Sequence, residues 1–291
     1  MPAIANLTEA PPVAKGDQAI IFLHLPKCGG TTLNRIIEWE YHPLRIFSVD
    51  PIFFLWSFKK VNRWPKDRLA QMQVFKGHMP FGLHRKLPQP ATYITFLRDP
   101  IDRVISAYYF ARNYKLHPKH RQVSRMTMEE YVRTWPNHNV QTKLLSGRPY
   151  TGDFHAGECD SGMLEAAKEN LATHFSLVGL TERFDECLAV LKIIFGWDIA
   201  QYADFNVTKR PRSNNLPSSI VDLIAERNKF DVALYEHVVP RFEETLESYG
   251  TEVERELSRI HKAKGLGKAE RLYYFAASGA RKAISRVHSA L

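Results

Sequence analysis

The sequence predicts an α/β fold: a P-loop-like central parallel sheet flanked by helices, with helix-rich insertions and helices at the C-terminal end. Two observations predict it. The run Ala19-Ile-Ile-Phe-Leu-His24-Leu-Pro-Lys27-Cys28-Gly29-Gly30-Thr31-Thr32 passes from an apolar strand through a glycine-rich turn into a helix. The run Tyr93-Ile-Thr-Phe-Leu-Arg98-Asp99-Pro100 repeats that order, with proline at the helix start. Strands linked through helices lie parallel, with both faces covered.

Taken in order, the pattern predicts a strand over Ala19 to His24, a helix over Thr31 to Tyr41, a strand near Gln73 to Lys76, a strand over Thr92 to Leu97 and a helix over Pro100 to Tyr114. Helical segments dominate afterwards: Met128 to Trp135, Asn139 to Leu145, Gly162 to Thr173, Glu182 to Phe195, and Ser218 to Tyr249 with a break. One further strand, Ser176 to Leu180, stands among them. No Ser/Gly-rich linker and no repeat divides residues 17–250, which read as one domain. Residues 1–16 read as a loose arm with neither a basic start nor a long apolar core, and 251–291 as a basic helical tail.

The first turn has the chemistry of an anion site. Gly29 and Gly30 let the backbone fold round a phosphate, and the helix after them offers unpaired N–H groups and a positive dipole end. In the usual nucleoside triphosphate loop, Lys-Ser or Lys-Thr follows the second glycine so that the hydroxyl binds magnesium. Here Lys27 precedes both glycines, which suits a metal-independent group donor with Lys27 beside the scissile group and Cys28, Gly29, Gly30, Thr31 and Thr32 around a phosphate that is not transferred. The alternative is a strand-to-helix joint with an incidental lysine. Arg98 ends the later strand and Ser106 follows roughly two helical turns on, a fork of donors and a hydroxyl suited to a second, dianionic phosphate. A salt bridge from Arg98 to Asp99 or Asp102 is the competing reading.

Together these segments resemble the sulfotransferases that use 3′-phosphoadenosine 5′-phosphosulfate, the first matching their 5′-phosphosulfate loop and the second their 3′-phosphate motif. Four later segments resemble the carbohydrate enzymes, above all the heparan sulfate 6-O-sulfotransferases and more loosely the 2-O group. They are Gly77-His78-Met-Pro-Phe-Gly-Leu83, Asn139-Val-Gln141-Thr-Lys-Leu144-Leu145, Ser176-Leu-Val-Gly179-Leu-Thr181-Glu182-Arg-Phe184, and Asn206-Val-Thr208-Lys209-Arg210 with Asn228-Lys-Phe-Asp231-Val-Ala-Leu-Tyr235. The likeness covers roughly residues 18 to 248 in islands, and departs where Cys28 replaces the family's threonine.

The resemblance implies transfer of a sulfuryl group to a carbohydrate hydroxyl, with His78 as base, Lys27 on the leaving side, Arg98 and Ser106 on the 3′-phosphate, and Thr208 and Lys209 covering the nucleotide. His24, His84 and Glu38 are the rivals for the base. A bacterial-type, cytoplasmic enzyme acting on a polysaccharide, a lipid-linked sugar or a small molecule fits the absence of an apolar anchor. A magnesium-dependent kinase and a silent polyanion-binding module are the other classes; the first lacks the Lys-Ser/Thr step, and the second leaves two phosphate motifs without use.

Composition agrees with this. The 291 residues, 44% hydrophobic, suffice for a sizeable core, and the net charge of +9 points to acidic partners such as a nucleotide donor and an anionic glycan. Scattered basic residues and core-like aromatics argue against nucleic acid. Cys28, Cys159 and Cys187 cannot all pair within the chain and match no zinc spacing, so no metal is expected; Cys28 beside Lys27 at a helix start could carry a reactive thiolate or simply be small. Arg112, Lys115, His117, Lys119, His120 and Arg121 read as a basic acceptor lining or as a solvated loop. In the tail nine basic residues face four glutamates, and Leu272-Tyr273-Tyr274-Phe275 with Ile284 could dock on a membrane, reach an acceptor, or pack on the domain.

Overall fold

The computed structural model describes residues 18–49, 61–136, 138–147, 157–198, 215–263 and 280–289. Five parallel strands form one sheet in the order β2-β3-β1-β4-β5. These are β1 Ala19–Leu23, β2 Ile46–Val49, β3 Val74–Gly77, β4 Ala91–Leu97 and β5 Phe175–Leu180. All five residues of β1 are buried, as an unbroken apolar run requires when helices cover both faces. Its register sets Leu23 beside Gly77 on one side and Phe22 beside Ile94 on the other.

Four strands fall where the sequence places them, and β2 was not expected. It is only four residues, Ile-Phe-Ser-Val, entered from a single 3₁₀ turn at Pro43–Arg45, so it carries too few residues for a pattern. As an edge strand it has N–H and C=O groups to satisfy, and a distant helix at 280–289 supplies hydroxyls: Ser48 N–H donates to Ser289 Oγ at 2.9 Å and Ser285 Oγ–H donates to the Ile46 carbonyl at 3.1 Å.

The helices are α1 Gly30–Glu40, α2 Lys66–Ala70, α3 Pro100–Asn113, α4 His120–Val123, α5 Met128–Thr134, α6 Val140–Ser146, α7 Ser161–His174, α8 Phe184–Phe195, α9 Ser218–Arg227, α10 Lys229–Tyr249, α11 Thr251–Ala263 and α12 at 280–289. Local chemistry starts several of them. Pro100 opens α3 while the Asp99 carboxylate accepts the Asp102 N–H, and Thr127 with Glu130 closes a capping box on α5. Asn228 makes the break expected between Ser218 and Tyr249.

One large core surrounds the sheet, and a smaller one, with Val104, Ile105, Tyr108, Val123, Tyr131, Val132 and Ile224, joins α3, α4, α5 and α9 into the helix-rich insertion. The tail packs on the domain where it is described. Val253 and Ile260 of α11 enter the main core, and Arg281 of α12 donates to the carbonyls of Glu38, Trp39 and Tyr41 at the end of α1. The cluster at Leu272 to Phe275 lies outside the described residues, as do the arm 1–16 and Thr208 and Lys209. Among the described residues no helix is long and apolar enough to cross a membrane.

Candidate functional site

Because β3, β1 and β4 are adjacent and parallel, their carboxyl ends open onto one edge of the sheet, the place where open α/β folds hold ligands. Each delivers one expected group: His78 after β3, the Lys27 turn after β1, Arg98 after β4.

The turn is built by its backbone. Lys27 and Gly29 both take left-handed φ, 70° and 72°, the first unusual for a residue with a side chain. The Cys28 N–H donates to the Leu25 carbonyl and the Thr32 N–H to the Gly29 carbonyl, leaving the amides of Gly29 and Gly30 without an acceptor among the described residues. No side chain caps α1, so its positive end faces the mouth of the turn. Gly30 is required by packing: a Cβ there would lie 2.0 Å from Cδ2 of the His24 ring. The Lys27 ammonium rests 3.7 Å above the Phe110 ring, which in turn meets His117 edge-on at 5.5 Å.

Arg98 reaches the same turn. Its Nη1 donates to the Lys27 carbonyl at 3.1 Å, while its Nε is buried without a partner. The competing salt bridge exists only at 3.8 Å to Asp102, and Asp99 spends its carboxylate on the helix cap. Gln141 is a part that sequence reasoning saw in a motif without a role: its amide clamps the Arg98 backbone, accepting from Arg98 N–H and donating to Arg98 C=O, both at 2.9 Å. Asp231 holds Gln141 in turn, accepting the N–H groups of Gln141 and Thr142 and the Thr142 hydroxyl, with the Arg103 guanidinium 3.7 Å away. Asn139 returns the favour to α10, accepting from Phe230 and Asp231 N–H. Ser106 is buried two turns into α3.

His78 Nδ1 lies 2.6 Å from the His24 carbonyl, and the two rings stack with centroids 4.1 Å apart. A carbonyl only accepts, so Nδ1 carries the proton and Nε2 keeps its lone pair. Burial lowers the pKa of His78, with the His24 carbonyl partly opposing it and the Lys27 charge adding to it.

The rivals separate. His84 bonds the Tyr93 hydroxyl at 2.9 Å and packs among Phe81 and His174, anchoring its loop to β4. Glu38 is fully buried and paired with Lys76 at 2.7 Å. His24 alone stands in the cleft beside His78. The thiolate reading of Cys28 is overturned: the thiol is buried against Gln141 Oε1 at 3.5 Å, and burial pushes its pKa up to about 12.

Of the basic lining, Arg112 turns inward to the Tyr108 hydroxyl and the Met126 carbonyl, and His120 Nδ1 sits 3.2 Å from the Ala111 carbonyl. Lys115, Lys119 and Arg121 are exposed, and an open groove of about 710 Å³ runs past Lys119, Arg121 and Arg125.

A family model described as galactose-3-O-sulfotransferase matches residues 2–271. Galactose-3-O-sulfotransferase 3 of Mus musculus is 26% identical over 288 residues, covering 89% of this chain and 64% of that protein. A heparin sulfate O-sulfotransferase of Drosophila melanogaster is 31% identical over 196 residues and heparan sulfate 2-O-sulfotransferase 1 of Xenopus laevis 28% over 197, each covering 60% of this chain and 54% of its own. The chain thus spans less than two thirds of the length of these relatives. The structure of mouse sulfotransferase SULT7A1 complexed with PAP covers 76% of this chain and 89% of its own at 14% identity, with a TM-score of 0.29, too low for the superposition to bear on the site. The carbohydrate kinship and its 2-O branch agree with the motifs, which had not singled out the galactose branch. Since the family model matches residues 2–271 of the 291, this chain belongs to the galactose-3-O-sulfotransferase family.

Proposed function

We propose that this protein is a sulfotransferase that moves the sulfuryl group of 3′-phosphoadenosine 5′-phosphosulfate to a hydroxyl of a carbohydrate. The observation that carries the reading is the meeting of three motifs at three neighbouring strand ends: His78, the Lys27 turn and Arg98.

The residues present fit such a donor. Two amides without acceptors at an uncapped helix start suit the 5′-phosphate, and the orphaned, buried Nε of Arg98 asks for an anion such as the 3′-phosphate. When bound, the donor supplies an activated sulfuryl group on a good leaving oxygen. Lys27 stabilises the charge that builds on that oxygen, moving its ammonium from the Phe110 face. His78 Nε2 takes the proton of the incoming hydroxyl, its ring held by the His24 carbonyl. Ser106 adds a hydroxyl to the Arg98 side, and the family resemblance adds Thr208 and Lys209, outside the described residues, as contacts to the nucleotide.

For the acceptor, the family and the named relatives support a sugar hydroxyl. An anionic glycan is the class favoured by the net charge of +9 and the groove past Lys119, Arg121 and Arg125. A closer kinship to the 6-O enzymes is supported by the four later sequence segments, the Gly77-His78-Met-Pro-Phe-Gly-Leu83 loop among them.

The test is calorimetric titration of 3′-phosphoadenosine 5′-phosphate and of ATP in EDTA, followed by labelled-sulfate transfer to galactose-terminated oligosaccharides and to desulfated heparan. Metal-free binding of the former and transfer to either glycan is the expected result, and the better glycan names the acceptor class. Binding of ATP only with magnesium, and of no bisphosphate, would sink the reading.

A further inference from the structure

A buried chain of polar groups runs from the far side of α1 to the cleft. Lys76 lies on β3 two residues before His78, and its ammonium donates to Glu38 Oε1 at 2.7 Å and to Asn34 Oδ1 at 3.3 Å. Glu38 and Asn34 are one turn apart on α1. An ammonium has only protons to give, so it fixes the Asn34 amide with its oxygen toward Lys76 and its NH₂ outward. That NH₂ lies 3.2 Å from His24 Nδ1. It too has only protons to give, so Nδ1 accepts and the His24 proton sits on Nε2.

The two stacked imidazoles therefore have opposite tautomers: His78 presents a lone pair at Nε2, His24 an N–H. The position of that N–H follows from Gly30, the first residue of α1, where an added Cβ would fall 2.1 Å from His24 Nε2 and 2.0 Å from Cδ2. The Cδ2–Nε2 edge of the ring thus lies against the first residue of the anion-binding helix. Among the described residues nothing accepts from His24 Nε2. Burial first, then the neighbouring His78, Lys76 and Lys27, hold the His24 pKa well below its ordinary value, so the ring stays a neutral donor. The Lys76–Glu38 pair itself is a weak source of stability, as buried pairs are, and orienting Asn34 gives it a use.

We infer that His24 binds the donor anion directly, giving its Nε2–H to an oxygen of the phosphosulfate held at the start of α1, and that Asn34, Lys76 and Glu38 are the positioning residues that set its tautomer. This rests on the sulfuryl-transfer reading above and adds a second histidine with a role opposite to that of His78. Donors aimed at a reacting anion in a dry site need no reorganisation when charge shifts, which makes a preset tautomer worth its burial.

The experiment uses the full chain with ¹⁵N-labelled histidine. Long-range ¹H–¹⁵N spectra should show His24 as the Nε2–H tautomer and His78 as the Nδ1–H tautomer, with the His24 Nε2 resonance shifting when 3′-phosphoadenosine 5′-phosphate is added. His24→Phe keeps the stack on His78 without the donor and should lower kcat by roughly 10- to 100-fold. His24→Gln returns an N–H near the Nε2 position and should recover most of that loss. Asn34→Asp, which demands a proton on Nδ1, should flip the tautomer in the spectrum and lose activity as His24→Phe does. A fall in kcat with bisphosphate affinity kept assigns the contact to the sulfuryl oxygens, and a fall in affinity assigns it to the 5′-phosphate. A protonated or Nδ1–H His24 in the wild type, or His24→Phe with turnover within about threefold of wild type, would overturn the inference while leaving the donor reading intact. A wild type that binds no bisphosphate would remove the donor reading and the inference together.

Discussion

Arg98 donates from Nη1 to the carbonyl oxygen of Lys27, 3.1 Å away and 71 positions earlier in the chain. The bond ties the two phosphate motifs into one unit and holds the Lys27 peptide where its φ of 70° is costly for a residue with a Cβ, about 1 to 2 kcal/mol. On the proposed reading Arg98 therefore has two tasks, gripping one anion and shaping the turn that would grip another.

That dual task predicts that Arg98→Lys, though charge-conserving, fails. Lysine cannot reach a carbonyl and an anion with a planar fork. Affinity for 3′-phosphoadenosine 5′-phosphate in EDTA should fall by at least about tenfold, read by calorimetry. Affinity equal to wild type would place the 3′-phosphate elsewhere.

His78→Ala should lower turnover by roughly 10²- to 10⁴-fold while bisphosphate binding stays near wild type. Since burial lowers the His78 pKa and a base works deprotonated, kcat/KM should rise with pH through an inflection below its ordinary 6.5 and level off at neutral pH. An inflection above 6.5, or one that survives His78→Ala, points to another base.

Acid should unfold the protein through the same burial. His24 and His78 have lowered folded pKa values, and His138 is lowered to about 4, first by burial and then by Arg227. Unfolded histidine takes a proton near 6.5, so below that pH the unfolded chain binds more protons than the folded one. Stability is full above pH 6.5 and falls as pH drops, for His138 until about 4. Thermal melts between pH 7.5 and roughly 4.5 should show Tm declining with acid; a flat profile contradicts neutral burial of these rings.

Asp231→Ala should be among the more damaging single changes outside the cleft. It strips the cap from α6 and leaves the buried Arg103 without its carboxylate, a loss of about 3 kcal/mol or more, or roughly 5 to 10 °C in Tm. Because Gln141 hangs from Asp231, bisphosphate binding should weaken as well, and the two effects can be followed by melting and calorimetry on the same variant.

Lys27 and Arg98 were legible because each follows an apolar strand close to glycine or proline, where local pattern marks a turn; His78 was legible as a loop residue whose role came with the family resemblance. Gln141 was legible only as a member of a motif, since its partner is a backbone 43 positions away. His24 and Glu38 could be named as rivals of His78 but not told apart from it. The facts that separate them are pairings across α1, β1 and β3: positions 34 and 38 share a face of one helix, but 24 and 76 come from other elements that no local period links to it. Edge strand β2, four residues long, escaped for a related reason: it is completed by β3 on one side and by Ser285 and Ser289 near the other end of the chain on the other.

By itself the sequence determined what short-range physics decides: which of the longer apolar runs are strands, where glycines shape a tight turn, and which charged side chains stand at those turns. Strand order was left to the tertiary structure. Placing β1 between β3 and β4 brings His78, Lys27 and Arg98 to one edge, and burial then decides protonation, turning Cys28 into an inert thiol and setting the neutral states of His24 and His78. Desolvation depends on everything packed around a group, so no stretch of sequence carries it.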